Sequence, residues 1–166
     1  MLTLTDTVLI HAPIDRCFAL STSLAIVQRE LKMHPVEGRV NGLVTAGDTI
    51  RWEGMQLGFR NYHVSLIVPE TWNPPHFFQD RMIAGRFRSF THDHHFTQTT
   101  EGTRLDDEVR FSMKLIWGGN LAGRAIVAPH IRGLLHRRFH LLKRLAESDE
   151  WRQYLSHQAR ASHHSR

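Results

Sequence analysis

Phe90-Thr91-His92-Asp93-His94-His95-Phe96 is the stretch that decides how this chain folds. Alternate side chains of a strand share a face, so Phe90, His92, His94 and Phe96 point one way and Thr91, Asp93 and His95 the other. Two imidazoles set among phenyl rings on a core-facing side need either partners or a task.

The following residues read as the partner strand. Glu101-Gly102 has the composition of a tight hairpin turn, and Leu105, Asp107, Val109, Phe111 and Met113 alternate after it. Pairing Thr100 with Thr103 sets Phe96 opposite Asp107, His94 opposite Val109 and His92 opposite Phe111. One face then carries His92, His94 and Asp107 among aromatic and aliphatic groups. The other takes Asp93, His95, Arg104, Asp106, Glu108, Arg110 and Lys114 and is expected in solvent.

Upstream, Thr3 to His11 reads as a first strand, and Ala12-Pro13-Ile14-Asp15 opens a short helix that buries Cys17, Phe18 and Leu20. Ser21 or Thr22 caps a second helix, with Leu24, Val27, Gln28 and Leu31 at helical spacing until His34-Pro35 stops it. Strands are expected over Val36 to Val44, Thr49 to Gln56, Phe59 to Val68 and Phe77 to Ile83, with turn signals at Ala46-Gly47-Asp48, Gly58 and Ala84-Gly85. With the two strands above, these make an antiparallel meander of six.

The chain closes on a helix entered near Pro129 and running from Ile131 to about Ala146, continued through Trp151 and Tyr154. At a hundred degrees per residue, Ile131, Leu134, Leu135, Phe139, Leu141, Leu142, Leu145 and Ala146 fall in one arc. Arg132, His136, Arg137, His140, Lys143 and Arg144 fall in the other. Arg138 breaks the pattern, because it lies in the middle of the apolar arc.

Length and composition bound the rest. The 166 residues fit one domain, expected over 1–157, with the polar residues 158–166 as a disordered tail. The single Cys17 rules out an internal disulfide framework and a cysteine zinc site, and it suits a reducing compartment. The first ten residues lack a basic leader region, and no apolar run reaches the length of a membrane span, so a soluble, cytoplasmic protein is expected. Residues 1–117 hold 12 Lys/Arg against 13 Asp/Glu, and residues 118–166 hold 9 against 3, so the net +5 belongs to the carboxy-terminal segment. A domain-wide nucleic-acid footprint is absent, and no DNA partner is expected. No Gly-rich phosphate loop follows a strand and no nucleophile elbow surrounds Ser21 or Ser89, which removes nucleotide-driven and serine-nucleophile enzymes.

The element order is strand, two small helices, six antiparallel strands and a long amphipathic helix. It resembles the helix-grip or START-like fold, an α+β architecture, and within it the polyketide cyclase/dehydrase branch. Phe78-x-Asp80, Gly85-x-Phe87, the Phe90 to Phe96 strand, Gly102-Thr103-x-x-x-Asp107-x-Val109 and Arg138-Phe139 carry the resemblance, which spans Asp6 to about Ala146. Phe90 stands where tryptophan is commoner, and an aromatic ring is kept. The resemblance implies a sheet of about seven strands wrapped around the closing helix, with a ligand cavity between them more firmly than catalysis.

In that geometry the candidate ligand-binding residues are Asp80, Phe90, His92, His94, Phe96, Asp107, Val109 and Phe111 on the sheet, and Leu135, Arg138, Phe139 and Leu142 on the helix. His92 and His94 either bind or protonate a ligand, or merely fix the sheet by hydrogen bonds to Asp107, Asp80 or backbone. Asp107 is costly on an inward face as an isolated charge, so it pairs with Arg138 or His94, is protonated, or orients a ligand. Arg138 either grips an anionic ligand group or answers an acid on the sheet. His92 with His94, and His136 with His140, have two-ligand metal spacing, but neither pair shows a third ligand in sequence, so no metal and no cofactor is expected.

Three functions follow from the sequence. The first is binding of a small apolar or aromatic molecule by a monomer or homodimer. The second is an enzyme that cyclises or dehydrates its substrate in the same cavity, with His92, His94 or Asp107 moving the proton. The third is an interaction protein whose basic helix face meets a membrane, RNA or another partner; that face is otherwise only solvated.

Overall fold

The computed structural model describes residues 1–115, 121 and 123–155. The proposed tail, 158–166, and its His163-His164 lie outside the described residues.

β1 (Leu2–Ile10) leads into α1 (Ile14–Ser21) and α2 (Leu24–Leu31), followed by β2 (Met33–Gly38), β3 (Thr49–Gln56), β4 (Phe59–Ile67), β5 (Phe77–Ala84), β6 (Phe87–Thr99) and β7 (Gly102–Met113). A π-helical turn at Gly123–Val127 then enters α3 (Ala128–Glu147). The seven strands form one antiparallel sheet in the order β1-β7-β6-β5-β4-β3-β2. α1 and α2 therefore carry the chain from one sheet edge to the other. This is the α+β helix-grip architecture.

Several local expectations are revised. The second helix starts after Ser23, not Ser21 or Thr22, with no side-chain capping hydrogen bond, and it stops because Lys32 turns left-handed at φ 53°. The next strand is β2 at Met33–Gly38, not Val36 to Val44; Pro35 sits in it, on an edge strand beside a bulge, where a missing N–H is tolerated. The closing helix begins at Ala128 with Pro129 in its first turn. It breaks at Ser148, which is extended, before a further helical turn over 151–155.

The hairpin register also differs. Thr99 pairs with Gly102, so Thr100 and Glu101 form the loop, and Phe96 faces Leu105, His94 faces Asp107 and His92 faces Val109. A shift of two residues changes every neighbour yet leaves each side chain on its expected face, because strands repeat every second residue. Gly102 serves a different purpose from the turn. Its φ is +143°, and a Cβ there would lie 2.2 Å from the carbonyl oxygen of Ile10, where β1 leaves the sheet for α1. Gly58 also has a positive φ, +78°, but open space around it. Gly102→Ala is expected to cost more than about 1 kcal/mol, and clearly more than Gly58→Ala. Urea midpoints measure both, and equal losses would show that close backbone approach is not what fixes this position.

The core fills the carboxy-terminal half of the grip. Phe18 sits edge-on to Trp72, Phe78 and Phe96 at 5.5, 5.5 and 5.4 Å, over Phe139, Leu142 and Leu145 of α3. A second cluster joins Leu4, Val109 and Phe111 to Ile131 and Leu135. The nearest backbone neighbours of α3 are β1, α1 and α2. On the far side the inward faces of β4 to β6 are looser, and His63, Met82, Phe90 and His92 stay partly open although they point toward the helix side. On the outer face Asp93, expected in solvent, is buried under Gln79 and Arg110, with Gln79 Nε2 donating to it at 2.6 Å and the guanidinium of Arg110 bonded to its other oxygen.

Candidate functional site

Sheet register assembles the site. Asp80 on β5 faces His92 on β6, and His94 faces Asp107 on β7, so a polar row crosses three adjacent strands on the helix side. Ser65 on β4 extends it and accepts a hydrogen bond from Trp52 Nε1 at 3.1 Å. Arg138 comes down from α3, and Glu30 comes in from α2.

Distances tie the group together. His94 Nδ1 lies 2.8 Å from Asp107 Oδ1, and since an ionised carboxylate only accepts, that nitrogen carries the proton. His92 Nε2 is 3.1 Å from Asp107 Oδ2, and Arg138 Nε is 3.5 Å from the same oxygen. Arg138 Nη1 donates to Glu30 Oε2 at 3.0 Å, and Nη2 donates to the carbonyl of Ser21 at 3.4 Å. The His94 ring is held between Phe78, stacked at 4.2 Å, and His92 at 3.8 Å.

Burial sets the electrostatics. Taking His94 out of water, with His92 beside it, pushes its pKa down to about 3. Burial also pushes Asp80 up to about 6, against the pull of His92 and Arg138. Glu30 is raised by burial despite Arg138. For Asp107 burial works upward, but His94 and His92 outweigh it and hold the carboxyl well below the usual range. Arg138 is raised, because Glu30 and Asp107 overcome its desolvation. The result is a neutral imidazole held by its Nδ1 proton on an ionised carboxylate, an arrangement that fixes the ring and leaves both groups weak bases near neutral pH.

Hydrogen bonding in this cluster is incomplete. Among the described residues, His92 Nε2, Asp107 Oδ2, Arg138 Nε, Asp80 Oδ1 and Glu30 Oε1 are shut off from solvent and complete no hydrogen bond. The close contacts of His92 and Arg138 with Asp107 run off the hydrogen-bonding direction. Each such atom costs about 1–3 kcal/mol unless a group from outside the chain answers it, so five around one carboxylate row mark the candidate place for a bound polar group.

The sequence-read residues separate into two sets. His92, His94, Asp107, Arg138 and Asp80 come together as one polar group, and Phe90 lies beside it, partly open. Phe96, Val109, Phe111, Leu135, Phe139 and Leu142 pack into the two apolar clusters, each at 5% exposure or less. Periodicity does not single out Glu30, Ser65 or His63. Glu30 lies in a segment legible only by its apolar spacing, and His63 and Ser65 become visible once β4 is registered on β3 and β5.

The basic arc of α3 helps to line a separate concavity of about 520 Å³ between α2 and α3, bounded by Arg29, Glu30, Lys32, Arg137, His140, Leu141 and Arg144. Among the described residues no helix is long and apolar enough to cross a membrane.

No protein-family model matches the chain, and no curated protein matches it. Solved structures do match. TTHA0849 from Thermus thermophilus is 18% identical with a TM-score of 0.63, over 89% of this chain and all of that one. CV1439 from Chromobacterium violaceum is 11% identical at 0.66, over 89% and 99%. The di-domain ARO/CYC BexL from the BE-7585A biosynthetic pathway is 16% identical at 0.66, and the match spans 89% of this chain and 50% of that protein. At these identities the likeness establishes the shared fold.

Proposed function

We propose that this protein binds a small apolar or aromatic molecule in the space between the inward face of β4 to β6 and the amino-terminal half of α3, with the polar end of the molecule on His92, Asp80, Asp107 and Arg138. The observation that carries the reading is the set of buried, unpartnered polar atoms beside inward-facing side chains that remain partly open. Such a site is mostly apolar with a few convergent polar groups, the usual character of a small-molecule pocket. His130 Nε2 and Gln56 Oε1, 2.7 Å apart, link α3 to the β3–β4 hairpin at the rim. Around that link Met55, Leu57, Phe59 and Ile126 are exposed, an apolar rim suited to passing an apolar molecule.

Native mass spectrometry of gently purified protein, with extraction of whatever is bound, tests this without a guess at the ligand. The expected result is a discrete apolar adduct that raises the melting temperature when added back, with His92→Ala weakening it about tenfold, the loss of one hydrogen bond to a ligand. A clean mass together with no thermal response to a panel of aromatic and isoprenoid compounds would count against the pocket.

The His94–Asp107 pair supports a second reading, in which the same cavity cyclises or dehydrates a polyketide-like substrate. Its proton would be taken from a carbon alpha to a carbonyl while Arg138 steadied the enolate. In that case His92→Ala or Asp107→Asn abolishes turnover of the extracted compound while binding persists. The ARO/CYC neighbour BexL makes aromatic polyketides the first compounds to try.

A further inference from the structure

We propose that His92, His94 and Asp107 form a binding site for one divalent transition-metal ion whose remaining coordination positions face the cavity. The sequence offered two histidines and no third ligand. The β6–β7 register supplies it, since Asp107 stands directly opposite His94.

Geometry comes first. One ligating atom from each of the three residues lies within 4.8 Å of the others. The two carboxylate oxygens of Asp107 stand 2.8 and 3.1 Å from the imidazole nitrogens of His94 and His92. Around an ion bonded at about 2.0–2.1 Å, tetrahedral ligands stand roughly 3.3 Å apart. To hold one ion the side chains must turn until the two imidazole nitrogens close to about that spacing, and the His94 proton must pass from Nδ1 to Nε2 so that Nδ1 can coordinate.

The state of the donor atoms is an independent observation. His92 Nε2 and Asp107 Oδ2 are buried, lie 3.1 Å apart and complete no hydrogen bond. An ion between them satisfies both at once. Charge points the same way: Asp107, Asp80 and Glu30 bring three carboxylates into one buried cluster, and Arg138 is the guanidinium that answers them. A divalent cation brings such a cluster to balance. Arg138 is committed to Glu30 at 3.0 Å and touches Asp107 only at 3.5 Å. It occupies the outer position from which a donor steadies a metal-bound carboxylate. Phe78 clamps the His94 ring, and His92, with 15% of its side chain exposed, marks the way in.

Two imidazoles and one carboxylate suit zinc or ferrous iron and not calcium or magnesium, which take oxygen ligands. Such an ion would polarise a carbonyl oxygen of a cavity ligand. The metal site itself needs no ligand, so it stands apart from the binding function proposed above.

The test uses untagged full-length protein stripped with EDTA and titrated with zinc sulfate, followed by calorimetry and thermal melts. One ion per chain at micromolar affinity or tighter is expected, with a rise in melting temperature. His92→Ala, at the open edge of the triad, is expected to weaken binding at least a hundredfold, and Asp107→Asn to do likewise. His136→Ala/His140→Ala, which removes the exposed pair on α3, should leave affinity unchanged. Cobalt(II) in place of zinc should show visible absorption that is lost in His92→Ala. Binding that follows His136 and His140, or no saturable site in wild type, overturns the proposal. The apolar adduct is scored separately on EDTA-treated protein, so loss of either result leaves the other readable.

Discussion

Arg138→Leu lowers the unfolding free energy by about 3–5 kcal/mol at neutral pH, the cost of breaking a buried ion pair from one side. The guanidinium is 6% exposed and stands between two acids, Glu30 at 3.0 Å and Asp107 at 3.5 Å, themselves 8% and 2% exposed. Leucine suits the apolar stripe of α3, so lost packing is a minor part of the change; the stranded charge of Glu30 is the major part. Asp107 keeps His94 and His92, whereas Glu30 has no second cation within ion-pair distance among the described residues. The double variant Glu30→Gln/Arg138→Leu removes both charges and should recover most of the loss, because replacing a whole buried pair is often close to neutral. Urea unfolding of wild type, both single variants and the double variant closes the cycle. A leucine variant within about 1 kcal/mol of wild type, or a double variant no better than the single, would show that the pair is not what holds α2 to α3.

The same pair stands between the outer groove and the buried polar cluster. Glu30 lines the basic groove between α2 and α3, and its ion-pair partner Arg138 reaches Asp107 in the carboxylate row. The residue that breaks the apolar arc of the helix is thus the wall between the outer surface and the candidate site. Weakening that wall is expected to reach the inner cluster through Asp107.

How much of this is legible in the sequence depends on the range of the interaction concerned. Period-two alternation decides which side chains share a face, so His92, His94 and Asp107 come out together even when the turn is placed one residue late and the register two residues off. The turn misleads because a glycine next to an acid looks like a hairpin tip, whereas Gly102 is required by the backbone of Ile10 passing 2.2 Å from where its Cβ would be. Local signals do not reveal that contact between distant segments. Arg138 is conspicuous because one helix carries its own frame of reference, but its partner Glu30 is not, since the apolar spacing of α2 picks out Leu24, Val27 and Leu31, which do pack on the core, and leaves out the more deeply buried Ile26 and Glu30. Likewise Asp93 reads as solvent-facing, and only the neighbouring strands show that Gln79 and Arg110 cover it. Whether Phe96, Phe111 and Phe139 line a space or fill one is a question of packing, which no periodicity answers.

Below pH 6.5 buried His63 and His94 withdraw stability while Asp80 and Glu30 work against them, and His63 is the residue by which one part of that loss can be isolated. It faces Trp52 across β3 and β4 with the rings 6.4 Å apart, and burial alone pushes its pKa down from 6.5 to about 4, with no hydrogen bond to offset it. An unfolded chain takes up the proton near pH 6.5 while the folded chain refuses it until about pH 4. Stability is therefore full above 6.5, falls across that window and levels off below it. The slope for one proton is about 1.4 kcal/mol per pH unit, so His63 accounts for up to about 3 kcal/mol by pH 4. His94 acts in the same direction. Asp80 opposes it: its folded pKa of about 6 lies above the unfolded value, so its contribution is present in acid and lost as pH rises through 6. The total curve is a composite, and the informative quantity is a difference. His63→Phe keeps a ring against Trp52 and removes the titration, so wild type minus variant should fall by about 1.4 kcal/mol per pH unit between 6.5 and 4 and be flat on either side. Urea unfolding at half-unit steps on chelator-treated protein gives this curve directly, and parallel pH profiles for the two proteins would mean that His63 reaches water in the folded state.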